Sequence, residues 1–139
     1  MIDKDLVRKK LRELSRYVAE LETLRQLPFE QLTSRLRDLW SVEHGLQLSI
    51  QVVLDIGNHI LAALGETAIE EYADVIDKLG ERGILPREFA RRIRGMAGFR
   101  NILVHEYVEV DRREVYEVLQ NRLDDFRAFA RYIEEYLTR

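Results

Sequence analysis

Eight consecutive positions, Arg100-Asn101-Ile102-Leu103-Val104-His105-Glu106-Tyr107, gather an arginine, an amide, a histidine and a tyrosine. Most of the rest of the chain is leucine, valine, alanine and charged residues in helical patterns. These residue types suit metal-free cleavage of RNA. A histidine titrating near neutrality can move protons at a ribose 2′-oxygen or at a leaving 5′-oxygen. An arginine can hold the scissile phosphate and stabilise the charge that develops on it. An amide at Asn101 can orient the histidine or hydrogen-bond the phosphate. The same residues also suit a plainer role, capping and packing near a helix end.

The geometry of one helix limits what this segment can do alone. At about 100° per residue, Met96, Phe99 and Leu103 share an apolar face, with Arg100 about 60° from Leu103. Asn101 and His105 form an i,i+4 pair roughly 100° and 140° away from Arg100. On a straight helix Arg100 and His105 therefore diverge. Either the helix ends or distorts between them, or a second copy in a two-fold dimer completes the site.

The elements that must position this segment are helical. With 139 residues the chain is one ordinary domain, residues 1–139, able to bury a core without staples. Two prolines and seven glycines leave few turns, and the abundant Leu, Glu, Arg and Ala favour helices. The absence of cysteine excludes disulfides and thiolate metal sites. The three histidines and nearby carboxylates lack a ligand spacing such as H-E-x-x-H, so no metal site is expected. There is no glycine-rich phosphate loop and no G-x-S-x-G elbow, and no cofactor is expected. A charged N-terminus, and no apolar run near the roughly 18–20 residues that span a bilayer, predict a cytoplasmic protein without a membrane partner.

The helical stretches follow in chain order, with one short turn among them. Asp3 or Asp5 can cap a first helix to about Leu27, with Leu6, Leu11, Leu14, Val18, Leu21 and Leu24 as its stripe. Pro28 begins a short turn over 29–32. Thr33 or Ser34 opens the longest helix, ending near Gly65 and apolar nearly all round from Leu46 to Leu64. On it Asp55, Asn58 and His59 form one polar cluster, either a strip beside the substrate or a network holding neighbouring helices in register. Thr67 can cap an acidic helix to about Leu79, and Pro86 begins a basic one carrying Arg87, Arg91, Arg92, Arg94 and Arg100. Arg91, Arg92 and Arg94 are candidates for RNA phosphates, or for pairing with the acidic helix. Asp111 caps a last long helix to the C-terminus, with Val115, Val118, Leu119, Leu123, Phe126, Phe129, Ile133 and Leu137 inward. The fold class is all-α, a single-domain up-and-down bundle of four long helices plus a short one. A net charge of −3 argues against a general nucleic-acid coat protein, and DNA is not an expected partner.

The motif R-x4-H-x-Y at Arg100, His105 and Tyr107 resembles that of the HepT-like toxins of the HEPN superfamily. Ser41-Val42-Glu43-His44-Gly45-Leu46-Gln47, Leu54-Asp55-Ile56-Gly57-Asn58-His59-Ile60, the Gly83-Ile84-Leu85 turn and Met96…Phe99 resemble that family in its order, across essentially the whole chain. The resemblance implies an all-helical homodimer acting as a metal-independent endoribonuclease toxin, with Arg100 and His105 catalytic and Asn101 the polar residue after the arginine. It also implies a minimal nucleotidyltransferase antitoxin of the MntA type that neutralises the toxin by transferring AMP to Tyr107. The alternatives are a non-catalytic module that partners such a nucleotidyltransferase, and a structural bundle whose polar residues only pack.

Overall fold

A computed structural model describes residues 1–105 and 110–139. Its regular structure is helical throughout: α1 (Lys4–Leu24), α2 (Phe29–Ser34), α3 (Leu36–Ala63), α4 (Tyr72–Glu81), α5 (Arg87–Ile93), α6 (Gly95–Val104), α7 (Arg112–Asn121) and α8 (Leu123–Leu137). The expected long rods are present, but two are segmented. The basic rod is α5 and α6, joined at Arg94 by a short-range Ala97 N–H to Arg94 carbonyl bond just where Gly95 weakens the helix. The C-terminal rod breaks into α7 and α8 at Arg122 (φ −116°, ψ 0°), directly after Asn121, a residue better suited to helix ends than interiors.

Helix α3 is the axis. It packs against α1, α2, α4, α6, α7 and α8 and contributes Leu46, Ile50, Val53, Leu54, Ile56, Ile60 and Leu61 to the core. Among the described residues it alone is long and apolar enough to cross a bilayer, but its apolar positions are largely buried in the bundle. From α1 come Val7, Leu14, Val18 and Leu21, so Val7 takes the inward place expected of Leu6, which is more than a third exposed. From the C-terminal rod come Val115, Leu119, Leu123, Phe126, Phe129, Ile133 and Leu137, as their spacing predicts.

Helix ends decide where the site-bearing elements lie. Asp3 accepts the Leu6 N–H and caps α1, and Asp111 accepts from Arg113 and Glu114 and caps α7. Thr33 and Ser34 do not open α3. They close α2, their hydroxyls donating back to the carbonyls of Phe29, Glu30 and Gln31, and α3 starts after Arg35 without a side-chain cap. Nor does Thr67 cap α4. That helix begins at Tyr72 behind a capping box in which Glu71 and Asp74 accept each other's backbone N–H groups. Helices α3 and α4 end alike. Gly65 (φ +82°) and Gly83 (φ +69°) take the left-handed conformation, while Glu66 and Ile84 donate back to the Leu61 and Leu79 carbonyls.

Glycine also sets how closely α4 approaches α3. A β-carbon on Gly57 would lie 2.6 Å from Val75 Cγ1 and 3.0 Å from Leu79 Cδ1. The missing side chain lets α4 settle onto α3, and this brings Tyr72, the first residue of α4, beside α6.

Candidate functional site

Arg100 lies half-buried on α6 where that helix packs on α3. Its guanidinium is held on three sides. Nε donates to Gln51 Oε1 at 2.8 Å, Nη1 donates to Asn101 Oδ1 at 3.2 Å, and the Tyr72 ring lies 4.6 Å away as a cation–π partner. The Gln51 amide is itself oriented, its Nε2 donating to Asp55 Oδ1 at 2.8 Å, and Lys10 Nζ stands 3.9 Å from Asp55 Oδ2. Three helices and the start of a fourth thus converge on one cation.

His105 is exposed and marks the end of α6. Its N–H still bonds the Asn101 carbonyl at 3.3 Å, but its backbone is extended (φ −82°, ψ 100°). Of the two arrangements open to the sequence, the helix does end, at Val104. Tyr107, the expected modification site, lies outside the described residues.

A cleft of about 760 Å³ opens beside the arginine, lined among others by Asp55, Asn58, Tyr72, Gly98 and Asn101. The cluster expected on α3 divides around it. Asp55 belongs to the Arg100 support and Asn58 is exposed in the cleft, whereas His59 Nε2 accepts the Asp3 N–H at 3.2 Å and ties α3 to the start of α1. Among the described residues no three His, Cys, Asp or Glu side chains converge as a metal-ligand set.

The three arginines flagged for phosphate differ in their engagements. Arg92 Nε donates to Asp125 Oδ1 at 2.8 Å, and Asp125 is 5% exposed and also meets Arg122. Arg94 donates to Asp77 on the acidic α4 at 2.9 Å. These carboxylates raise the pKa of both guanidiniums, through the hydrogen bond first and the charge second. Arg91 is exposed and makes no ion pair with a described residue.

Two site residues went unflagged in the sequence. Gln51 had a signal, an amide one turn before Asp55 on an otherwise apolar stretch. Tyr72 had none, because its place depends on how α4 docks.

A family model described as Ribonuclease HepT-like matches residues 10–133. The chain belongs to the HepT-like ribonucleases. It is 29% identical over 136 residues to a protein named tRNA nuclease HepT from Aphanizomenon flos-aquae, covering 98% of this chain and 92% of that one. It is 30% identical over 89 residues to one named mRNA nuclease HepT from Shewanella oneidensis, covering 64% and 67%. A solved toxin–antitoxin structure with AMP-PNP superposes with a TM-score of 0.86 at 24% identity, covering 94% of this chain and 98% of that one. A tri-AMPylated Shewanella oneidensis HEPN toxin in complex with MNT antitoxin gives 0.85 at 24% identity, covering 97% and 99%. These structures establish the HEPN fold for the HepT-like chain, in agreement with the all-α expectation.

Proposed function

We propose that this HepT-like protein is a metal-independent endoribonuclease toxin, a single domain over residues 1–139 that works in the cytoplasm as a homodimer. The observation that carries the reading is the fixed guanidinium of Arg100 five residues before His105, at the end of the same helix. Family membership and relatives named as tRNA and mRNA nucleases support RNA as the substrate.

Both N–H groups of Arg100 Nη2 make no hydrogen bond to a described residue and suit the non-bridging oxygens of a phosphodiester. His105 takes the proton of the 2′-hydroxyl as that oxygen attacks phosphorus. The P–O5′ bond breaks, and the leaving oxygen takes a proton from a second imidazole, the His105 of the other protomer. The products are a 2′,3′-cyclic phosphate and a 5′-hydroxyl. Asn101 supports the arginine from its own helix.

Neutralisation is by a nucleotidyltransferase antitoxin of the MntA type. Solved neighbours that are toxin–antitoxin complexes, one with an AMPylated toxin, support this. AMP on Tyr107, two residues beyond His105, adds a bulky anion that competes with RNA for Arg100.

The test is cleavage of RNA by protein purified without antitoxin. Wild type is expected to cut in the presence of EDTA. His105→Ala is expected to lose cleavage while keeping its circular dichroism and its sedimentation as a dimer. Equal cutting by both proteins, or none by wild type, overturns the proposal.

A further inference from the structure

We propose that Gln51 is the positioning residue for Arg100, fixing the direction of the guanidinium while leaving its charge undiminished. The inference rests on the ribonuclease reading of Arg100 and extends it to a residue on another helix.

The geometry is specific about what Gln51 does. Its carbonyl oxygen faces Arg100 Nε at 2.8 Å and its amide nitrogen faces Asp55 Oδ1 at 2.8 Å. The reverse orientation would set N–H against N–H and oxygen against oxygen, so the two neighbours together fix the amide. The Asp55 carboxylate holds the amide from behind, near Lys10. Arg100 thus touches a neutral oxygen rather than a carboxylate. Elsewhere in this chain the half-buried Arg8 and the exposed Arg92, Arg94 and Arg127 meet Asp or Glu directly and share their charge with it. At Arg100 the acid stands one amide away, and the Tyr72 ring and Asn101 complete a support without formal charge. The full cation is therefore available to a phosphate, on an axis set by α3.

This predicts different consequences for two substitutions at one position. Gln51→Leu removes the acceptor and frees the guanidinium to turn. Turnover is expected to fall about 10- to 100-fold with KM little changed, the scale of a reacting group misplaced by about 1 Å. Gln51→Glu keeps an acceptor in place but sets a carboxylate on Arg100. It is expected to weaken RNA binding and raise KM, more at low salt than at high. In an Arg100→Ala background Gln51→Leu should cost nothing further, because its effect acts only through the arginine.

The deciding experiment measures kcat and KM for wild type, Gln51→Leu, Arg100→Ala and the double variant, with dimer and fold checked for each. It is paired with solvent exchange of the Arg100 Nε–H by NMR. Non-additive losses, with slow exchange in wild type and fast exchange in Gln51→Leu, support the inference. Unchanged kcat in Gln51→Leu, losses that add in the double variant, or equal exchange overturn it. Absence of cleavage by wild type would instead defeat the ribonuclease reading, and the NMR exchange would still decide whether Gln51 holds Arg100.

Discussion

Arg92 Nε sits 2.8 Å from Oδ1 of Asp125, a carboxylate that the bundle almost completely encloses. The pair ties the basic α5 to the C-terminal α8, so Arg92 reads as a structural cation although its sequence neighbourhood suggests phosphate. The neighbouring arginines then separate by experiment. Arg92→Ala should lower Tm, because Asp125 loses a partner inside the fold. Arg91→Ala should leave Tm unchanged and reduce the salt dependence of RNA binding by about one in slope, as for a lost phosphate contact. Equal loss of affinity in both variants, without loss of stability in Arg92→Ala, would show that both bind RNA.

Gly57 governs how near α4 lies to α3, and so where Tyr72 stands against Arg100. Gly57→Val sets new atoms against Val75 and Leu79 in a filled interior and should cost about 1–3 kcal/mol in chemical denaturation. It should also lower cleavage, as α4 is pushed away and the ring leaves the guanidinium. Gly95 provides the contrast. It is exposed in α6, and a β-carbon there meets no described atom within 4 Å. Gly95 is the first residue of α6, where the propensity gain is smaller than in a helix interior, so Gly95→Ala should cost nothing and stabilise by less than about 0.5 kcal/mol. If Gly57→Val were as stable as wild type, the close approach of the two helices would not be a constraint.

Two carboxylates should give opposite pH signatures. Burial raises the pKa of Glu43 above its ordinary value, with Arg112 offsetting part of the rise. Between the unfolded and folded pKa values the folded state keeps a proton that the unfolded chain has released. Stability on this account falls as pH rises through that window and stays lower above it. Glu43→Gln should thus raise Tm at neutral pH and have little effect near pH 3, roughly, where both states are protonated. Asp74 is the reverse case: the N–H groups of Glu71 and Glu70 lower its pKa. Its stabilisation is present above the unfolded pKa and disappears as pH falls through the folded one. Asp74→Asn should lower Tm at neutral pH, and the difference should close in acid. Tm profiles of the two variants that run parallel to wild type would contradict both assignments.

What the sequence made legible follows from how local each cause is. The inward faces of α3 and the C-terminal rod were readable because burial of Leu54, Phe126 or Ile133 repeats with the helical period. The caps at Asp3 and Asp111 and the stops at Gly65 and Gly83 were readable for the same reason, since each acts within one turn. Thr33 and Thr67 misled because a hydroxyl can serve either end of a helix. At Thr33 the preceding turn took it, and at Thr67 the Glu71–Asp74 box further on set the start. In the site, Arg100, Asn101 and His105 stood out by type and spacing. Gln51 and Tyr72 support Arg100 from 49 and 28 positions away in the chain, a relationship that only the docking of α3, α4 and α6 creates.

Arg100→Lys tests whether the site needs a fork or only a charge. Lysine would keep the cation at that position, and general attraction for RNA should persist, with KM within a few-fold of wild type. It has no Nε–H for Gln51 and no planar pair of donors for two phosphate oxygens. The ring of Tyr72 would lose its stacked guanidinium, although a lysine ammonium can still lie over it. Loss of one preorganised donor from a charge-stabilising site lowers turnover by about 10²- to 10³-fold. Single-turnover cleavage by Arg100→Lys should fall on that scale, with its circular dichroism and dimerisation unchanged. Turnover close to wild type would mean that the arginine contributes attraction alone, and that the hydrogen bonds from Gln51 and Asn101 serve packing rather than chemistry.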